Sequence, residues 1–144
     1  MTNELQGVTK VPVPTPIPVE MWGKDHWSTF AYIEVRCVDH KGQPDRQHMR
    51  CDVDLHPGLA PHRRGFSDHT PKKYPTRLKG GVEVQDHDDW SCIDDMEEAG
   101  LLKWEGSGIY PIFVLTDKGK VVAGRLRAHK ANGGNFAGFN PGTI

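Results

Sequence analysis

Four ligand-type side chains stand symmetrically about one polar turn: Cys37 and His40 with two residues between them, then His48 and Cys51 with the same spacing. Thiolate and imidazole pairs so spaced hold zinc in knuckle sites, because a short turn can bring both donors to one side of a tetrahedron. Zinc is therefore the cofactor this region could take, with His56 or His62 as replacement ligands. Asp39-His40, His48 and His56 also allow a metal-dependent nuclease, in which an imidazole activates water beside a divalent ion. The spacing argues against that reading: seven residues separate His40 from His48, and Pro57-Gly58 block a helix through His56. His26-x-Ser28 supplies half of a two-histidine phosphoesterase pair without a second half. The acidic run at Asp86, Asp88, Asp89, Asp94 and Asp95 lacks EF-hand spacing. No Walker loop, Gly-x-Ser-x-Gly or GxGxxG is present, so a protein without catalysis is expected.

The elements that would position these residues follow from periodicity. From Thr29 to Val38, Ala31, Ile33, Val35 and Cys37 alternate with Phe30, Tyr32, Glu34 and Arg36, which predicts a strand. From His48 to Leu55, Met49, Cys51, Val53 and Leu55 alternate with polar residues, which predicts its antiparallel partner. Placing Cys37 beside Cys51 sets Val35 against Val53 and Ile33 against Leu55, so one register puts every apolar side chain on one face. That register sends Cys37 and Cys51 to the core and His40 and His48 to the opposite face. A single zinc would then need both strand ends to curl, and buried free thiols are the competing expectation.

At 144 residues the chain is long enough to bury a core without staples. Three cysteines and no signal peptide predict reduced thiols and a cytoplasmic location, and no apolar run approaches a membrane span. The net charge of −1 conceals a separation. Residues 82–99 hold eight acids and no Lys or Arg, 56–80 hold six basic residues against one acid, and 116–130 hold five against one. Either these surfaces neutralise one another or a charged face is offered to a partner.

An α+β organisation in four parts is expected. Residues 1–20 carry Pro12, Pro14, Pro16 and Pro18, an extended arm. Residues 21–81 comprise the β-hairpin unit and a basic irregular connection. Residues 82–131 hold a helix from about 87 to 99 stopped by Gly100, a strand at Leu101 to Glu105, a Gly106-Ser-Gly108 turn, a returning strand to Leu115, and a helix capped by Thr116 and stopped by Asn132-Gly-Gly134. Trp90, Ile93, Met96, Leu101, Leu115, Val122 and Leu126 are its expected core. Residues 132–144 form a Gly-rich tail whose Phe136 and Phe139 fold back.

Within this, Ala-Gly-Leu-Leu at 99–102, the Gly106-Ser-Gly108 wing and Leu115-Thr-Asp-Lys-Gly119 resemble the C-terminal half of a winged-helix domain of the MarR or PadR type. The resemblance covers Met96 to Lys130 and implies a binding or regulatory protein. Its partner would be nucleic acid, held by Arg63, Arg64, Lys72, Lys73, Lys79, Arg125 and Arg127, or a basic protein surface docked on Asp94, Asp95, Glu97 and Glu98. The acidity of the helix that would enter the major groove favours the second.

Overall fold

A computed structural model describes residues 13–52, 54–59, 75–107 and 110–143. Helix α1 spans Lys24–Asp39. Two short strands follow, β1 (Thr76–Arg77) and β2 (Glu83–Val84), then α2 (Asp89–Glu98), β3 (Leu102–Gly106), β4 (Pro111–Leu115) and α3 (Asp117–Ala131). The protein is thus mixed α+β with two small antiparallel hairpins, β1–β2 and β3–β4. No helix among the described residues is long and apolar enough to cross a membrane.

The predicted N-terminal β-hairpin is not formed. Thr29 to Val38 belongs to α1, which buries His26, Trp27, Thr29, Phe30 and Ile33. The alternation from Ala31 to Cys37 competes with a helical stripe that begins earlier, at Trp27, Phe30 and Ile33. The helix wins because it buries Trp27 and Phe30 together with Ile33, whereas period two would have placed Phe30 on the polar face. Val35, on the apolar face of the expected strand, is 51% exposed, and Val38 at its end is 74% exposed. The expected partner segment is a 3-10 turn at Arg46–His48 followed by irregular chain. Met49 and Cys51 are buried there, while Leu55 is exposed.

The later half follows its periodicity. Asp88 caps α2 by accepting from the Ser91 N–H. Gly100, at φ +80°, ends that helix in the left-handed conformation that a C-terminal cap requires. In the β3–β4 hairpin Leu102 pairs with Leu115 and Trp104 with Phe113, whose rings meet edge to face at 5.1 Å. The end of α1 docks on the outer edge of this hairpin, where the Phe113 N–H donates to the Gly42 carbonyl at 2.8 Å.

Thr116 caps α3, accepting from the Gly119 N–H and donating to the Gly100 carbonyl at 2.6 Å. This presses the first turn of α3 onto the chain at Leu101, and a Cβ on Gly119 would overlap the Leu101 backbone carbonyl. Gly119→Ala should therefore lower stability by about 1–3 kcal/mol, read as a drop in urea midpoint at unchanged slope. An unaltered midpoint would show that the contact gives way freely.

Of the expected core, Trp90, Ile93, Met96, Leu101, Val122 and Leu126 are buried, whereas Leu115 is only partly so. Phe139 is buried against Trp27, the rings edge to face at 4.7 Å, and Phe136 lies under the Lys130 ammonium. At the other end of the chain, Ile17 is buried and its carbonyl accepts from Trp22 Nε1 at 2.8 Å. Residues 1–12 of the expected arm, and most of the basic connection, lie outside the described residues.

Candidate functional site

Helix α2 organises its surroundings through three carboxylates, Asp88, Asp89 and Asp95, each less than 10% exposed. Asp88, at the N-cap, accepts from Ser91 N and Oγ on one oxygen, and from the Asp52 N–H at 2.8 Å and His56 Nδ1 at 2.9 Å on the other. Asp89 accepts from the Arg50 N–H and Nε and from the Thr29 hydroxyl. Asp95 accepts from the Ile17 N–H at 3.0 Å through Oδ1, while Oδ2 lies 2.7 Å from His26 Nε2 and 2.9 Å from His87 Nε2. One helix thereby holds α1, the segments around residues 50–56, and the incoming arm. Part of the acidity that reads as a charged surface is internal wiring, arranged so that each buried carboxylate has donors.

Burial opposes ionisation of Asp95, but hydrogen bonds from His26, His87 and the Ile17 N–H outweigh it and hold its carboxyl below the usual range. Asp88 is lowered likewise: burial raises it, and His56 with the Asp52 and Ser91 N–H groups more than offsets that. At Asp89 burial prevails over Arg50 and pushes the carboxyl up. Burial holds His26 below its ordinary value despite Asp95. The Asp88 hydrogen bond raises His56.

The signs define a pH profile. An unfolded histidine titrates near ~6.5; with His26 lowered in the fold, the unfolded chain takes the proton first, and stability falls as pH drops below about 6.5. Asp88 and Asp95 contribute fully above about 3.9 and lose their contribution as pH falls through their lower folded values. His56 has the opposite sign: its contribution is complete below about 6.5 and disappears as pH rises through its raised folded value. Urea midpoints should peak near neutrality, and His56→Gln should remove the decline on the alkaline side while sparing the acid side. An alkaline decline unchanged in the variant would exclude His56 as its origin.

A second feature lies beside Asp95. His26 is fully buried, stacked on Trp22 at 4.9 Å, and its Nδ1 has no hydrogen-bond partner. One nitrogen of His26, one of His87 and the Cys92 sulfur all lie within 4.8 Å of one another. The Cys92 Sγ is 3.8 Å from His87 Nδ1, and burial raises its thiol well above the ordinary value.

The ligand set expected from sequence is not brought together. Cys37 lies on α1 and donates to the Phe113 carbonyl at 3.2 Å; Cys51 donates to the His56 carbonyl at 3.4 Å. His40 is exposed at the end of α1, and His48 is exposed with Nδ1 3.1 Å from the Asp45 carboxylate. With α1 in place of the strand, the two cysteines are no longer cross-strand neighbours. Burial and the Asp88 carboxylate raise the Cys51 thiol to about 11, which fits an inert core cysteine.

Among the expected partner-binding residues, Asp94, Glu97 and Glu98 are exposed on α2, whereas Asp95 is 4% exposed and serves the interior. Arg125 donates through Nη1 to the Pro141 and Thr143 carbonyls, and Arg127 pairs with Glu34. Lys79 is exposed. Arg63, Arg64, Lys72 and Lys73 lie outside the described residues. Searches for a matching family model, curated protein or solved structure find none for this chain.

Asp94 and Glu98 border a cleft of about 380 Å³. Val13, Pro14, Pro16 and Val84 give it apolar walls, and Asp86, Asp94, Asp95 and Glu98 give it negative charge. His87 also lines it.

Sequence reading missed His26, His87 and Cys92 as a group. Sixty-one positions separate His26 from His87. The signal available was local: His87, Cys92 and Asp95 at the start of one capped helix.

Proposed function

We propose that the protein is a small binding or regulatory protein without catalysis, built on a winged-helix-like module and acting as an adaptor that captures a basic segment of a protein partner. The observation that carries this is the solvent face of α2, where Asp94, Glu97 and Glu98 are exposed and Asp94 and Glu98 border a cleft with apolar walls and further carboxylates. A lysine or arginine entering the cleft would lay its alkyl stem on proline and valine and its charge on carboxylates. A duplex docked on the same helix would meet like charge at every phosphate.

Nucleic acid is the second reading, favoured by the exposed Lys118, Lys120, Arg127 and Lys130 of α3. The two readings separate by sign. A fluorescent Arg/Lys-rich peptide and a fluorescent duplex are titrated with the wild type and with an Asp94→Lys/Glu98→Lys variant, which leaves the buried carboxylates intact. Peptide affinity should fall at least roughly tenfold in the variant, with duplex affinity equal or higher. Tight, salt-sensitive duplex binding by the wild type with no affinity for the peptide would replace the adaptor by the nucleic-acid reading.

A further inference from the structure

We propose that His26, His87 and Cys92 form a binding site for one zinc-class divalent ion. Three observations converge on it. The three side chains already offer donor atoms within 4.8 Å of one another. His26 Nδ1 is buried without a partner in a fully enclosed ring, an arrangement that leaves a lone pair or an N–H unmet by protein. A single carboxylate oxygen, Asp95 Oδ2, lies 2.7 Å from His26 Nε2 and 2.9 Å from His87 Nε2. A carboxylate accepting from both Nε2–H groups assigns each ring the tautomer with its lone pair on Nδ1, unengaged in His26 and facing the Thr76 hydroxyl and the Cys92 sulfur in His87. This is how metal-binding histidines are oriented by their neighbours.

The donor set decides the class of ion. Two imidazole nitrogens and a thiolate suit zinc and similar borderline metals, and disfavour calcium and magnesium, which take oxygen ligands. Zinc bonds of about 2.0–2.1 Å to nitrogen and 2.3 Å to sulfur place tetrahedral ligand atoms roughly 3.3–3.7 Å apart. The donor-to-donor separations must therefore shorten by up to about 1.5 Å, and His87 Nδ1 must exchange its 2.9 Å contact with the Thr76 hydroxyl for the metal. Binding replaces the Cys92 thiol proton by the ion and releases that proton to solvent, so affinity weakens as pH is lowered. His87 and Asp95 line the cleft, which is the side from which an ion and a fourth ligand would arrive. The ion would join α1 to the start of α2, beside the cleft whose exposed acids are proposed to meet a partner.

The test uses the full chain and cobalt(II) as a spectroscopic stand-in for zinc. The Cys37→Ser/Cys51→Ser variant, in which Cys92 is the sole thiol, should bind one equivalent with a thiolate-to-cobalt charge-transfer band and tetrahedral visible bands, and zinc should displace the cobalt. His87→Ala should weaken binding at least tenfold, and Cys92→Ser should abolish the charge-transfer band. Should Cys92→Ser fail to fold, the single-thiol variant and His87→Ala still decide the matter. Folded wild type that takes up no cobalt, a charge-transfer band lost from the single-thiol variant, or unaltered affinity in His87→Ala would each overturn the site.

Discussion

Asp95→Ala should lower the free energy of unfolding by about 3–5 kcal/mol, the range for removing one partner from a buried, hydrogen-bonded charge group. The carboxylate meets the Ile17 N–H, His26 Nε2 and His87 Nε2, and all these groups would be left facing a cavity inside the fold. The loss should exceed that of Asp94→Ala, one residue away and exposed, by several-fold. Asp95→Asn has a single carbonyl oxygen, which either accepts from Ile17 and leaves the NH₂ facing two imidazoles or the reverse, so it should fall between wild type and alanine. Equilibrium urea unfolding of the three variants at one pH checks the order. Equal midpoints for Asp94→Ala and Asp95→Ala would mean that the buried carboxylate holds nothing together.

Trp90→Ala should cost about 3–5 kcal/mol through lost burial and the cavity left behind. Trp90 is fully buried on α2, with its ring 6.1 Å from Trp104 and 6.4 Å from Phe113, so it joins the helix to both strands of the β3–β4 hairpin. Its Nε1 has no hydrogen-bond partner. Trp90→Phe should therefore be much milder than alanine, because it retains most of the apolar volume and removes an unsatisfied donor. Thermal or urea midpoints for the pair check this, and a phenylalanine variant as unstable as alanine would contradict the packing argument.

The two substitutions show why α2 is both scaffold and candidate docking face. Buried residues cover most of its circumference: Trp90, Ile93 and Met96 to the core, Asp89, Cys92 and Asp95 to the polar interior. Ser91, Asp94, Glu97 and Glu98 remain on the outer side, and of these Glu97 also accepts from the Trp104 N–H at 3.1 Å. A partner bound there would contact a helix locked from three directions, so little ordering would be lost on binding.

From Asp88 to Asn132 the sequence alone determined the elements, because caps, stop glycines and periodicity are local signals that agree with one another. Asp88 and Thr116 cap α2 and α3, Gly100 ends α2, and Trp104 faces Phe113 across the hairpin. Before Asp88 local signals conflicted. The stretch from Ala31 to Cys37 satisfies period two as well as the helical stripe, and the choice fell to long-range burial of Trp27 and Phe30 against segments such as Phe139, more than a hundred residues away in the chain. The candidate site was similarly hidden. The sign of a carboxylate is legible in sequence, but whether it meets solvent or an imidazole is not: Asp94 and Asp95 are adjacent, and helical geometry turns one outward and the other toward His26, 69 positions away. Only the tertiary structure brings α1 onto α2, and with it the two histidines, the thiol and the carboxylate that orients them.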